Sequence, residues 1–268
     1  MSERFSSQSF LGAEAGHVFE SAIVGIVGLG GGGSHIAQQL AHVGFLHFIL
    51  FDPDEMEPRN LNRQIGAVEK DVDLKTPKID IVARLIKSIR SRAVIEQYKS
   101  TWQKNPDPLK KCDVIFGCVD GFQERRTLEV FARRYVIPCI DIGMDIYPAK
   151  EGQPPRMVGQ VILSLPGKSC MRCLGFPSEA ALTSEAENYG AAGHVPQVVW
   201  GNGVLASVAT GIAVDLFSNW TKKDNEAVYL SYDGNDLTVT VHPRLAMRNR
   251  VCDHFPPDEV GDPKFKPL

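Results

Sequence analysis

An apolar strand that runs straight into a block of glycines constrains this chain more than any other feature. Ile23-Val24-Gly25-Ile26-Val27 is followed by Gly28-Leu29-Gly30-Gly31-Gly32-Gly33, and then by a helical stretch from about Ser34 to Val43. The block satisfies GxGxxG between a strand and a helix, the setting in which bare backbone can approach a phosphate at the positive end of a helix. A second apolar strand, His47 to Phe51, ends at Asp52, where a carboxylate can accept hydrogen bonds from ribose hydroxyls. These features predict a nucleotide site but do not separate NAD from ATP.

Short apolar runs alternating with 3.6-periodic stretches continue to about Ile142, the pattern of a parallel sheet with crossover helices. Thr76 and Pro77 supply an N-cap and N1 pair for a helix whose apolar face carries Ile79, Val82, Leu85, Ile86 and Ile89. Val114-Ile115-Phe116 reads as a buried strand leading to Asp120, Gln123 to Tyr135 as a helix, and Ile137 to Ile142 as the next strand. Beyond it Pro148, Pro154, Pro155 and Pro166 punctuate a region with one strand, Met157 to Leu165. A Gly/Ala-rich loop from about Gly175 to Pro196 leads into a small-residue helix, Gln197 to about Trp220. Ala227 to Tyr232 and Leu237 to His242 read as a hairpin around Asp233-Gly234-Asn235. The expected fold is therefore α/β, a Rossmann-like doubly wound and mostly parallel sheet with a C-terminal antiparallel hairpin extension. At 268 residues the chain suits one large domain with appendages.

Composition excludes several classes. A net charge of −3 without a basic stripe gives no footprint for nucleic acid. The pairs Arg125/Arg126 and Arg133/Arg134, on one predicted helix, read as a solvated face. The apolar stretches are broken before the roughly 18 residues a membrane span needs, and the first residues lack a secretory pattern. A cytoplasmic location follows as an expectation. The six cysteines then read as metal ligands, reactive thiols or buried apolar residues rather than disulfides.

The loop after Asp52 separates the nucleotides. It reads Asp52-Pro53-Asp54-Glu55-Met56-Glu57-Pro58-Arg59-Asn60-Leu61-Asn62-Arg63-Gln64. A hydride-transfer enzyme has no obvious need for Asn and Arg behind the ribose acid, whereas a triphosphate needs a fixed guanidinium. Here the chain resembles the ThiF/MoeB family, bacterial relatives of ubiquitin-activating enzymes. The resemblance rests on GxGGxG at Gly28, Gly30, Gly31 and Gly33, DxD at Asp52 and Asp54, NLxRQ at Asn60 to Gln64, Lys78 opening its helix, and Asp120 at a strand end. It spans roughly residues 22–245. It implies that Asp52 holds the ribose, that Asn60, Arg63 and Lys78 grip phosphates, and that Asp120 holds magnesium or positions the reacting phosphate. It further implies ATP-dependent adenylation of the C-terminal glycine carboxylate of a small ubiquitin-like or sulfur-carrier protein, by a homodimer. A conjugating enzyme or a sulfurtransferase would be a separate partner. The implied organisation is an arm at 1–21, an adenylation domain at 22–254 with a crossover loop at about 175–196, and a tail at 255–268. A nicotinamide-dependent oxidoreductase and a non-catalytic half of a split activating enzyme are the alternatives.

The chain departs from the family pattern at three places. Relatives carry an amino-terminal RYxRQ-like segment whose arginine reaches the partner subunit's ATP; here Arg4-Phe5-Ser6-Ser7-Gln8 keeps the first arginine and has Ser7 at the second. Relatives that carry zinc have two CxxC pairs, whereas this chain follows Cys170-Met171-Arg172-Cys173 with Cys252-Asp253-His254, an expected structural zinc set of Cys170, Cys173, Cys252 and His254. Relatives that form a thioester place a cysteine in the crossover loop, and Glu185 to Gln197 has none, with Ala191, Ala192 and His194 in its middle. Cys112, Cys118 and Cys139, at or near strand ends, are expected to be buried rather than nucleophilic.

Overall fold

The computed structural model describes residues 3–149, 152–187, 196–224, 226–248, 252–255 and 260–261, excepting the side chains of 3–5, 184 and 187. Ala191, Ala192 and His194 lie outside the described residues, and so does the side chain of Arg4. In chain order the elements are α1 (Ala15–Ser21), β1 (Ile23–Val27), α2 (Gly31–Val43), β2 (His47–Phe51), α3 (Glu69–Asp73) and α4 (Lys78–Ile89). They continue with β3 (Val94–Tyr98), β4 (Val114–Gly117), α5 (Phe122–Arg134), β5 (Cys139–Tyr147), β6 (Arg156–Ser164), α6 (Glu179–Glu187), α7 (Val199–Ser218), β7 (Val228–Asp233) and β8 (Thr238–Val241).

The strands form one sheet in the order β3-β2-β1-β4-β5-β6-β7-β8. The first five are parallel, and β5 through β8 pair antiparallel. This is the expected fold, and it puts a reversal of strand order at β1, between β2 and β4. Ligands of open α/β sheets bind at such a point, beyond the carboxyl ends of the strands. Val24, Ile26, Phe48, Leu50 and Phe116 face the helices α2, α4 and α7, while Val27, Ile49, Phe51 and Ile115 face the Trp102 and Leu109 turns and α5. Each such side chain contributes about 1.5–3 kcal/mol by leaving water, so two covered faces fix which side every strand presents.

Several sequence expectations are corrected. Helix α2 begins at Gly31 rather than Ser34, because the glycine backbone itself takes up the first turn. Thr76 does not cap α4; Pro77 occupies the N-cap position with no side-chain bond, and the Thr76 hydroxyl serves Asp71 instead. Strand β5 runs past Ile142 to Tyr147, since its second half pairs with β6 from Gly143↔Gln160 to Tyr147↔Arg156. The Gly175–Pro196 region contains α6. Strand β3 and helix α1 had no counterpart in the sequence reading, because β3 is a half-polar edge strand and α1 is only seven residues long. Helix α7 is also long and apolar enough, by length and composition, to cross a membrane, contrary to the expected breaks. Its Leu205, Ala206, Ala209 and Ala213 are buried in the main core, the arrangement of a central helix in a globular fold.

The arginine pairs on α5 are not a solvated face. Arg125, Glu129 and Arg133 recur at four-residue intervals and are all buried, leaving Arg126 half-buried and Arg134 exposed. Arg125 Nε donates to Asp141 Oδ1 at 2.9 Å, and its Nη2 donates to Asp141 Oδ2. The Gln160 carboxamide oxygen, in the orientation that satisfies its amide, accepts from both Arg125 Nη atoms at 2.6 and 2.9 Å. The Arg133 fork is taken up by the carbonyls of Leu165 and Lys168. Glu129 accepts from the Ser164 hydroxyl and, at 2.6 Å, from the Met171 N–H, and burial pushes its carboxyl up to about 7. Periodicity in charge cannot reveal partners that arrive from β5 and β6.

Candidate active site

The carboxyl ends of β1, β2 and β4 open onto a cleft of about 300 Å³. Its lining includes Gly28, Gly30, Gly31, Asp52, Asp54, Arg63, Lys78 and Asp120, so the structure gathers most of the expected site residues in one place. Gly28 has a φ of +86°, and a Cβ there would meet the Cys118 carbonyl oxygen at 2.5 Å. A Cβ on Gly33 would lie 1.9 Å from the Gly28 carbonyl oxygen, so the last glycine of the motif is needed for packing and does not line the cleft. Gly30 has open space where a side chain would stand. No side chain caps α2, which leaves its first N–H groups for an anion at the positive end of the helix.

Asp52 is 5% exposed, and its two oxygens accept from the N–H groups of Leu29 (2.6 Å) and Asp54 (2.8 Å). Burial holds its carboxyl above the usual range, against the opposing pull of Lys78 and those two N–H groups. Lys78 is buried beside it, with Nζ 2.7 Å from Asp54 Oδ2. Arg63 Nη1 donates to the Arg59 carbonyl at 2.6 Å and to Asn62 Oδ1 at 3.2 Å. Burial lowers the pKa of Arg63, and the charge of Asp120 is the strongest influence opposing it. Asp120 Oδ1 accepts from Gln197 Nε2 at 3.0 Å.

Besides Gly33, two further expected residues are not in the cleft wall. Asn60 is buried beneath it, its Oδ1 accepting from the Glu57 N–H at 3.1 Å, and thus shapes the loop that carries Arg63. Gln64 is 4% exposed, and neither atom of its amide has a hydrogen-bond partner among the described residues.

The cleft also uses residues that sequence reasoning did not identify. Asn202, within α7, is buried against Gly31 and donates to the Val198 carbonyl at 3.0 Å. Glu124 and Asp145 add carboxylates whose pKa values are raised, first by burial and further by Asp120. Glu185 of α6 accepts from the N–H groups of Phe122 and Gln123, both at 2.8 Å, and so caps α5 just after Asp120. A polar Asn inside the Trp200-Gly201-Asn202-Gly203 stretch of an apolar helix was the one local signal available for any of these.

Outside the cleft lining, Cys170, Cys173, Cys252 and His254 bring three thiol sulfurs and an imidazole nitrogen within 4.8 Å of one another. His254 Nδ1 lies 3.4 Å from the sulfurs of Cys170 and Cys173 and 3.9 Å from that of Cys252, and the Cys170 and Cys173 sulfurs are 3.5 Å apart. Tetrahedral zinc with bonds of about 2.0–2.3 Å needs ligand atoms roughly 3.3–3.8 Å apart; the separations among Cys170, Cys173 and His254 fall in that range, Cys252 stands slightly wider, and the donor types are those zinc takes. Burial pushes the Cys112, Cys118 and Cys139 thiols up. Cys112 and Cys139 are buried as expected, whereas Cys118 lines the cleft.

Comparison with known proteins agrees with this geometry. The chain belongs to the ThiF family, matched over residues 5–254. It is 28% identical over 255 residues to the SAMP-activating enzyme E1 of Haloferax volcanii, covering 92% of this chain and 86% of that one. It is 30% identical over 188 residues to the adenylyltransferase and sulfurtransferase uba4 of Aspergillus clavatus, covering 65% of this chain and 35% of that longer protein. The crystal structure of Escherichia coli MccB with ATP superposes with a TM-score of 0.70 at 19% identity, covering 90% of this chain and 71% of MccB, a likeness of fold. The protein is an enzyme of the adenylyltransferase class, E1-like in architecture.

Proposed function

We propose that this enzyme uses magnesium and ATP to adenylate the C-terminal glycine carboxylate of a small ubiquitin-like or sulfur-carrier protein. The observation that carries the reading is the convergence of Arg63, Lys78, Asp52 and Asp120 with the glycine loop in one cleft at the strand-order reversal. The names of the Haloferax and Aspergillus relatives point to the same chemistry. They give the nicotinamide alternative no support.

A C-terminal carboxylate has an ordinary pKa of about 3.5 and is already ionised at neutral pH, so its attack needs no general base. One carboxylate oxygen bonds to the α-phosphorus, the bond from that phosphorus to the bridging oxygen breaks, and pyrophosphate leaves. The obstacle is repulsion between a carboxylate and a polyphosphate. Arg63, Lys78 and the N–H groups at the start of α2 offset it with fixed positive charge in a partly dry cleft. Asp52 receives the ribose, and Asp120 is the residue to hold magnesium, which would supply further charge neutralisation. Cys112 and Cys139 are buried with raised pKa values, and Cys118, though in the cleft, has its pKa raised too, so none is the thiolate a thioester step needs. We read the enzyme as a cytoplasmic homodimer, with a zinc ion in the four-ligand cluster pinning the 252–254 segment to the core. The test is ATP–pyrophosphate exchange with candidate small proteins ending in glycine. Exchange that needs magnesium and the intact tail is expected; exchange without any partner, or none with every candidate, would overturn the reading.

A further inference from the structure

Arg63 and Asp120 carry opposite charges in one cleft and sense each other electrostatically, yet no direct ion pair joins them. Between them runs a path of hydrogen bonds through Asn62 and Gln197, entering Gln197 at its main-chain carbonyl and leaving from its side-chain amide. Arg63 Nη1 donates to Asn62 Oδ1 at 3.2 Å, Asn62 Nδ2 donates to the Gln197 carbonyl at 3.2 Å, and Gln197 Nε2 donates to Asp120 Oδ1 at 3.0 Å. Each link runs from donor to acceptor, so the guanidinium and the carboxylate are both satisfied without touching.

We infer that Asn62 and Gln197 are positioning residues that hold Arg63 and Asp120 apart, so that an empty cleft keeps one charge available for a polyphosphate and the other for a cation. The inference rests on the adenylation reading for its purpose, though not for its geometry. Opposite charges in a partly buried cleft attract strongly, and contact between them would have to be broken before either could serve a substrate. Neutral amides satisfy both groups without competing as strongly as a charge would, the economy expected of a preorganised site. Neither amide is called on to touch the reacting atoms. Gln197 also stands two residues after the 188–195 segment and Glu185 three residues before it, and both are anchored on the stretch from Asp120 to Gln123.

The inference is tested with Gln197→Ala, Asn62→Ala and the double variant, using Gln197→Leu if the alanine variant folds poorly. In the free Gln197→Ala crystal structure Arg63 and Asp120 are expected to collapse into an ion pair within about 4 Å. In exchange assays the magnesium concentration for half-maximal rate should rise about tenfold, while the rate at saturating magnesium stays within about threefold of wild type, because the metal must now displace Arg63 from Asp120. The double variant should be no worse than the poorer single variant within about twofold, since both cut one bridge. An unchanged magnesium requirement, losses that multiply, or an Arg63–Asp120 separation unaltered in the variant structure would each overturn the inference. If wild type shows no exchange with any partner, the adenylation reading fails, and the variant structure still decides the bridge.

Discussion

Helix α5 meets charge in two settings. Along its buried face Arg125, which also borders the cleft, is closed by Asp141 and Gln160, and Arg133 by two carbonyls, each guanidinium locked against a complementary group. Just before its first turn Asp120 faces the cleft with an amide for a partner, and Arg63 across from it is held by a carbonyl and an amide. The same residue types are thus spent in one place on holding the sheet to the helix and kept in the other for something that arrives from solvent. Buried ion pairs are costly to break and contribute little net stability over apolar packing, whereas preorganised charges in a cleft show their worth only when substrate is present.

The largest effect expected from this contrast is on the buried face. Arg125→Ala leaves Asp141 buried and unpaired and should cost about 3–5 kcal/mol in urea unfolding, with Arg125→Met/Asp141→Leu recovering much of it. A loss under ~1 kcal/mol would mean the pair is more hydrated than its burial implies. In the cleft the pattern should invert. Arg63→Ala and Asp120→Ala should each lower pyrophosphate exchange by about 10²-fold while moving unfolding free energy by less than ~1 kcal/mol. Wild-type-like exchange in both variants would remove these residues from the site.

Smaller effects sharpen the boundary between structural and functional charge. Zinc should be found at one per chain, and chelation or Cys173→Ser should lower Tm by roughly 4–8 °C, corresponding to about 2 kcal/mol, without abolishing nucleotide binding. A zinc-free protein of unchanged Tm would make the cluster three reduced thiols beside an imidazole. The smallest effect falls on Asp71, itself buried though its partner Arg84 is exposed, whose carboxyl is held below its usual pKa, chiefly by hydrogen bonds from Arg84. A lowered native pKa means stability that is present above the unfolded value and lost as pH falls through the native one. The stability gap between wild type and Asp71→Asn should be about 1 kcal/mol and flat from roughly pH 5 to 7, then shrink below about pH 4. A gap that grew on acidification would have the wrong sign for this pairing.

How much of this was legible depended on where each contact originates. Gly28, Gly30 and Asp52 could be placed from sequence because each stands at or just beyond a strand end, and strand ends in a parallel sheet share one edge, whereas Arg63, Lys78 and Asp120 were placed by resemblance to a family pattern. Asn202 and Gln197 come from the far end of the chain, and only the packing of α7 on α2 brings them in. The arginine pairs on α5 were misread for a related reason: the i, i+4 stripe was visible, but Asp141 and the Leu165 carbonyl that satisfy it belong to β5 and to the residue just after β6. Strand β3 escaped because an edge strand with Glu96 and Gln97 in it carries no apolar run. The cysteine cluster was readable as a set of metal-ligand types, while its convergence required the chain to bring residue 254 back to residue 170.

The claim on which the rest depends is that a protein's carboxylate attacks the α-phosphorus in this cleft. The most direct measurement uses a partner protein labelled with ¹⁸O in both oxygens of its C-terminal carboxylate, incubated with magnesium, ATP and the enzyme. The adenylate is then released by hydroxylamine, which attacks the acyl carbon, and the AMP is weighed. The expected result is AMP carrying one ¹⁸O in step with formation of the hydroxamate. Unlabelled AMP, or ADP in its place, would contradict the account.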